Sequence, residues 1–405
     1  MNRFLAKYVE FIRQPDVAKL LLVALLSRMP VGMGGFALLI FLREHLGDYT
    51  HAGTAVGVQL VALAAAAPVM GRLIDRVGAR IPLVVTGTFQ PLALLSILWA
   101  TLARMPYPVI LGCAALSGIF ATPITTLTRT AWRHRFQSEA DRRTAFALDA
   151  VMIEINFTIG PAIIAAILAT AGATVAFATL IGFVVASVFI FFFSPALRYF
   201  KRAEPAERHM LGPLTEPRLL LVFASTFGLA MAFGLIEVGY PAFGTSLAAP
   251  ALAGVLLSVN SIGSAIGGAI FGGLHLKMRI ERQLATTMAL MSIPLMLHAI
   301  FQQLPVFGVV AFFCGLCIAP SIASQSVLVS RLAPAKYAAE AFTWSSCFIV
   351  SGLGAGMALG GLLVETTGLR SAFVSGALIT SAMSIVALQI SASPSPATPA
   401  SREAA

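Results

Sequence analysis

Hydrophobic runs of about 20 residues, broken by short polar stretches, recur along the whole chain. Runs of that length match helices crossing a bilayer core about 30 Å thick. The pattern predicts spans near 18–41, 53–74, 81–103, 106–128, 146–170, 173–194, 218–241, 251–274, 283–303, 305–329, 341–364 and 371–391. Barrel strands would alternate polar and apolar positions over roughly ten residues, and these runs do not. The expected fold is therefore an all-α membrane protein of twelve transmembrane helices.

The polar segments test that count. With the N-terminus in the cytoplasm, the inner segments hold 23 of the 27 Lys and Arg, including Arg72, Arg76 and Arg80, Arg129, Arg133 and Arg135, and Arg198, Lys201 and Arg202. The outer segments hold Arg43, Arg104 and Arg370, and Arg28 lies inside a span. Such asymmetry is the positive-inside rule, and an error of one helix would scramble it. It places both termini in the cytoplasm of a bacterial inner membrane. The net charge of +10 then reports topology, and no nucleic-acid partner is expected.

Composition agrees. The 405 residues are 58% hydrophobic and 11% charged, against about 25% charged in a soluble domain. Residues 1–17, with Arg3, Lys7 and Arg13 among Phe4, Leu5, Phe11 and Ile12, read as an interfacial segment. Residues 392–405, rich in Pro, Ser and Ala, read as a disordered tail. Cys113, Cys314, Cys317 and Cys347 all fall in apolar runs and read as small buried hydrophobes. No metal site and no cofactor are expected.

A basic linker over 196–217 divides the chain into six-span bundles over 18–195 and 218–391, and the two resemble each other. Gly118 and Pro123 match Gly315 and Pro320 at offset 197; Phe146, Gly160, Gly172 and Phe177 match Phe342, Gly356, Gly368 and Phe373 at 196. Gly53, Gly71 and Leu73 match Gly254, Gly272 and Leu274 at 201. Two repeated halves around a midplane cavity form a transporter plan.

The loop after the second span holds Gly71, Leu73, Asp75, Arg76, Gly78 and Arg80. It resembles the signature loop of the major facilitator superfamily, with Ala79 departing from the usual basic residue. The resemblance implies two six-helix bundles and alternating access. It also implies a cytoplasmic latch in which Asp75 faces the start of the eleventh helix, where a helix N-terminus attracts a carboxylate. Gly160 and Pro161 match part of an antiporter pattern in the fifth span; the resemblance favours export, and a helix kink with no directional meaning is the other reading. The family's cavity is lined by helices one, four, seven and ten, which makes Thr125, Thr126, Ser324 and Gln325 candidates, with Asn156 added from the fifth. Gly263/Gly267, Gly268/Gly272 and Gly352/Gly356/Gly360 are small-residue ladders, expected to let the halves pack and slide.

Ionisable groups inside spans mark function by default. Arg28, Glu154 and Glu237 are the candidates for proton or substrate coupling. Arg28 lies about 14 Å deep at 1.5 Å per residue, level with Glu154, so the two are candidates to pair. Asp149 reads as a loop-side partner of Arg142 or Arg143, and Arg129 as an anchor at the inner face.

No phosphate-binding loop is present to use ATP. The sequence thus points to a monomeric, secondary active transporter with protons as coupling ion and the lipid bilayer as surroundings. The leading expectation is efflux of a small, partly apolar molecule. Proton-coupled uptake of a small metabolite is the alternative. A membrane-embedded sensor or enzyme is the reading from another class, and the chain offers neither a sensor domain nor a paired catalytic set.

Overall fold

A computed structural model describes residues 10–136, 138–199, 212–274, 276–334 and 338–392. Among the described residues, eleven helices are long and apolar enough to cross a membrane. The longest, Glu139–Phe192, is broken at Gly172 (φ 85°, ψ 174°) and supplies two spans, which brings the total to twelve. They are α1 (Val17–Leu46), α2 (Tyr49–Val77), α3 (Arg80–Leu102), α4 (Tyr107–Arg135), α5 (139–171) and α6 (173–192) in the first half. The second half has α7 (Pro217–Ser246), α8 (Leu252–Gly273), α9 (Ile280–Ile300), α10 (Leu304–Leu332), α11 (Ala338–Thr366) and α12 (Leu369–Ala392). Every expected span is present, most of them longer than the hydrophobic run that announced it. The expected interfacial segment and tail fall largely outside the described residues. Phe11, at the described edge of the former, is buried against Phe136 with ring centroids 4.9 Å apart.

The ends of α1, α3, α5, α7, α9 and α11 where each begins share one face of the bundle, called here the arginine-rich face. The α1–α2 turn marks the opposite, arginine-poor face. Three helices are interrupted where the sequence weakens them, one of them α10 at Cys317 (φ −89°, ψ −17°), three residues before Pro320. α1 breaks at Arg28 (φ −100°, ψ 0°) just before Pro30. α4 breaks between Ile119 and Ile124, at Pro123.

The internal repeat is visible in the packing. A Cβ on Gly118 would collide with the Gln59 carbonyl of α2, and one on Gly315 with the Asn260 carbonyl of α8. A Cβ on Gly160 would strike Gly32 of α1, and one on Gly356 would strike Met231 of α7. Gly172 and Gly368 both take positive φ, 85° and 92°, at the α5–α6 and α11–α12 turns. Only glycine adopts that conformation without strain. Matched residues thus perform matched contacts, as duplication requires.

The halves meet along two antiparallel helix pairs, α2 with α11 and α5 with α8. Gly53 and Gly57 let α2 approach Met357 and Gly354 of α11; Gly254 lets α8 approach Pro161 of α5. The small-residue ladders act elsewhere. Gly263 and Gly267 seat α8 on Phe312 and Leu316 of α10, and Gly352, Gly356 and Gly360 seat α11 on Phe227, Met231 and Val238 of α7. Those are contacts within one half, so these two ladders build the bundles rather than the sliding surface; of the third, Gly268 meets Ala319 of α10 and Gly272 meets open space. Regular spacing shows that a helix has a narrow face and leaves open which neighbour uses it.

Candidate functional site

The break in α1 turns Arg28 into the interior of the first half. Its side chain is 1% exposed and its Nη1 donates to Asp149 Oδ1 at 2.6 Å. Nη2 donates to the Thr125 carbonyl at 3.2 Å, in the stretch of α4 that follows its own break. Asp149 also accepts from Trp132 Nε1 at 3.1 Å and from Arg129 Nε at 3.4 Å. Two arginines and an indole therefore converge on one carboxylate. Arg129 remains half exposed and carries the excess positive charge, while the Arg28 Nε is buried with no acceptor.

Two expectations are corrected here. Arg28 pairs with Asp149, not with Glu154, and Asp149 is a buried acceptor rather than a loop-side group. The hydrophobic run suggested that the fifth helix begins near 146, which left Asp149 at its mouth. The helix begins at Glu139, so Asp149 lies nearly three turns inside. Arg129, expected as an anchor, is a member of the cluster.

Glu154 lies one turn beyond, on the face of α5 that meets α8. It accepts from Ser264 Oγ at 3.4 Å. Ser261 Oγ donates to the Phe157 carbonyl at 3.0 Å and Ser258 Oγ to the Thr158 carbonyl at 2.7 Å. Serines at 258, 261 and 264 thus line one stripe of α8 and tie it to the other half. Pro161 explains the middle contact. It has no N–H, so the Phe157 carbonyl four residues earlier loses its helical donor, and Ser261 replaces it. Gly160–Pro161 was expected to kink the helix, yet α5 keeps helical dihedrals through it and Gly172 is the non-helical position inside the segment. The pair makes a seam: Gly160 admits α1, and Pro161 frees a carbonyl for α8.

The same device recurs in α2. Pro68 removes the donor to the Ala64 carbonyl, and Cys347 Sγ of α11 takes that carbonyl at 3.3 Å. Sequence reasoning missed both contacts, although a proline inside a span announces a free carbonyl four residues before it.

At the arginine-poor face the halves are tied through Tyr49, the first residue of α2. Its backbone N–H donates to Glu365 Oε1 of α11 at 2.7 Å, and its hydroxyl pairs with Thr245 Oγ1 of α7 at 2.8 Å. Arg43 lies over the Tyr49 ring, 5.4 Å from its centroid. Of these residues the sequence singled out Arg43 alone, as an outer-side arginine, and gave no sign of the tie.

The remaining candidates divide. Asn156 and Ser324 are buried, and neither side chain has a hydrogen-bond partner among the described residues. Buried polar atoms are nearly always satisfied, so water or a solute would complete them. Gln325 is taken up by Ser345, to which its Nε2 donates. Thr125 contributes its carbonyl to Arg28, and Thr126 is exposed. Glu237 is half-buried on α7 and faces Gly35 of α1. Arg28, Glu154 and Glu237 therefore occupy three separate places.

Residues 71–77 of the signature loop continue helix α2. Gly78 alone makes the turn (φ 84°), its N–H bonded to the Ile74 carbonyl at 2.9 Å. A Cβ on Gly71 would meet open space. Leu73 and Arg76 are exposed, and Arg80 opens α3. The Asp75 side chain lies outside the described residues, as does much of the 196–217 linker, so the expected latch is not described.

Comparison with known proteins places this geometry. The family model described as Major Facilitator Superfamily matches residues 20–296 and 222–405. No curated protein matches the sequence. Among solved structures, the nucleoside transporter NupG aligns with TM-score 0.73 at 13% identity, covering 93% of this chain and 99% of its own. A substituted form of NupG gives the same score over 92% and 99%. Likeness at that identity establishes the fold alone.

Proposed function

The chain belongs to the major facilitator superfamily, and from that premise we propose that it is a proton-coupled secondary transporter exporting a small, partly apolar molecule. It works as a monomer, rocking its halves about the seams α2–α11 and α5–α8. The arginine-rich face lies in the cytoplasm of a bacterial inner membrane, as the distribution of Lys and Arg supports.

The observation that carries the reading is the placement of ionisable groups at membrane depth. Arg28 and Asp149 form a buried pair in one half, and Glu154 sits at the seam with one weak serine partner. Charges are kept in such places at a cost, and in transport proteins they mark ion and solute pathways. Asn156 and Ser324 add unsatisfied polar atoms in an otherwise apolar interior, which suits a solute with few polar groups. The partial antiporter pattern at Gly160 and Pro161 supports export. Its packing role at the seam is compatible with either direction.

Uptake is the second reading, favoured by the fold shared with a nucleoside transporter. One experiment tests both. The purified chain is placed in liposomes with a pH-sensitive dye inside, a pH gradient is imposed, and labelled solutes are screened. Export predicts that solute and protons move in opposite directions; uptake predicts that they move together. Solute movement that persists at the same uphill ratio after the gradient is collapsed would overturn proton coupling.

A further inference from the structure

Glu237 differs from every other acid inside the bundle. Asp149 has two arginines and a tryptophan, Glu154 has Ser264, and Glu365 has the Tyr49 N–H. Glu237 has no hydrogen-bond or ion-pair partner among the described residues. It lies nine residues before the end of α7 at Ser246, about 14 Å from the arginine-poor end at 1.5 Å per residue.

Its surroundings are those of a blind end. A methyl group placed on Gly35 of α1 would lie 3.9 Å from Glu237 Oε2 and 4.0 Å from Met357 Cε of α11. The carboxylate therefore points across the molecule at the other half. Beyond Gly35, residues 36–42 of α1 are all buried; beyond Glu237, residues 238–244 of α7 are all buried. These two plugs, with the Tyr49 ties outside them, close the way to the arginine-poor face. Within 232–244 the incompletely buried positions are Phe233 and Glu237. They are one helical turn apart, so the partial exposure of Glu237 runs along one stripe of α7, away from the plugs. Pro241 adds to the polarity of the spot, since its missing N–H leaves the Glu237 carbonyl without a helical donor.

Resting on the reading of proton-coupled transport, we infer that Glu237 is the group that carries the coupling proton. The argument is electrostatic. During each cycle the halves close at both faces before reopening. A carboxylate shut in without a cation or donor would cost several kcal/mol, whereas a carboxylic acid costs far less. Glu237 Oε2 lies toward Gly35 of α1, with Met357 of α11 beside the same glycine, neither of them charged, and its titratable neighbour is Tyr240 on its own helix. Among the described residues no group is paired with Glu237 to supply the missing charge, so a proton does. Arg28 and Asp149 neutralise each other and need none. The proton adds to one carboxylate oxygen at one face and leaves it at the other, and no other bond changes.

Two measurements test this on the full chain. Infrared difference spectra between acidic and alkaline buffer are expected to show a carboxylic-acid C=O band. That band is lost in Glu237→Gln and kept in Glu154→Gln. In liposomes, Glu237→Gln is expected to exchange labelled solute at equal pH on both sides, yet lose uphill movement driven by a pH gradient; Glu237→Asp keeps both. Gradient-driven movement of Glu237→Gln at the wild-type level, or an unchanged infrared band, overturns the inference and leaves the transport reading standing. Wild-type liposomes in which no solute follows the gradient overturn the transport reading and this inference with it. If Glu237→Gln does not fold, Glu237→Asp still decides, because a genuine proton carrier shifts its infrared band there.

Discussion

Arg28 and Asp149 stand 121 residues apart in the chain and are joined at 2.6 Å inside the first half. The pair ties the break in α1 to the third turn of α5, and Trp132 and Arg129 brace it from α4. Asp149→Asn would leave Arg28 buried without a counter-charge. Removing one partner of a buried pair costs about 3–5 kcal/mol, so the variant is expected to melt far below wild type in detergent. Replacing both, as Arg28→Met with Asp149→Leu, removes the stranded charge and is expected to recover most of the melting temperature. Equal losses in the single and double variants would show that the pair is not the stabilising unit.

The spans, their number and their duplication were legible because lipid imposes a strong rule: every helix must present about 20 apolar residues. The pairing of Arg28 was not. Depth along a helix is counted from its start, and α5 starts seven residues before the hydrophobic run that predicted it, within the polar stretch from Glu139. That shift moved Asp149 from the mouth of the helix to its interior. The break at Arg28 further redirects its side chain in a way that spacing does not reveal. Glycine ladders gave faces without neighbours, and Tyr49 was invisible because its backbone N–H makes the decisive contact.

The repeat makes a paired prediction. Gly118 and Gly315 occupy equivalent crossings, α4 on α2 and α10 on α8, and a Cβ at either would collide with a backbone carbonyl. Overpacking of this kind costs about 1–3 kcal/mol. Gly118→Ala and Gly315→Ala should lower the melting temperature by similar amounts. Gly71→Ala and Gly308→Ala, where a Cβ meets open space, should leave it unchanged or raise it. A large loss at Gly71 would contradict the packing described here.

The proline-freed carbonyls give a prediction about the seams. Ser261 on Phe157 and Cys347 on Ala64 each join the halves. A neutral hydrogen bond contributes about 1 kcal/mol net. Ser261→Ala should therefore weaken the α5–α8 seam by that amount, seen as faster amide hydrogen exchange in both helices. With Pro161→Ala the Phe157 carbonyl regains a helical donor, so adding Ser261→Ala should have less effect. Full additivity of the two substitutions would separate Pro161 from the Ser261 contact.

Tyr49 carries the last prediction. It makes two bonds from α2 to the second half, one to Glu365 through its backbone and one to Thr245 through its hydroxyl. The first is charge-assisted and lies at a helix N-terminus, where a carboxylate gains further from the helix dipole. Tyr49→Phe deletes only the hydroxyl bond, about 1 kcal/mol, which is roughly a fivefold change in the balance between closed and open forms of that face. Glu365→Gln keeps the acceptor while removing the charge, and Glu365→Ala removes both. The expected order of opening is therefore wild type, then Tyr49→Phe and Glu365→Gln, then Glu365→Ala. Spin labels introduced by Arg104→Cys and Gln303→Cys, on turns of opposite halves at that face, would read the distance. If Glu365→Ala leaves the distance distribution of wild type intact, Tyr49 is a static contact and the face is held closed by the buried plugs of α1 and α7 alone.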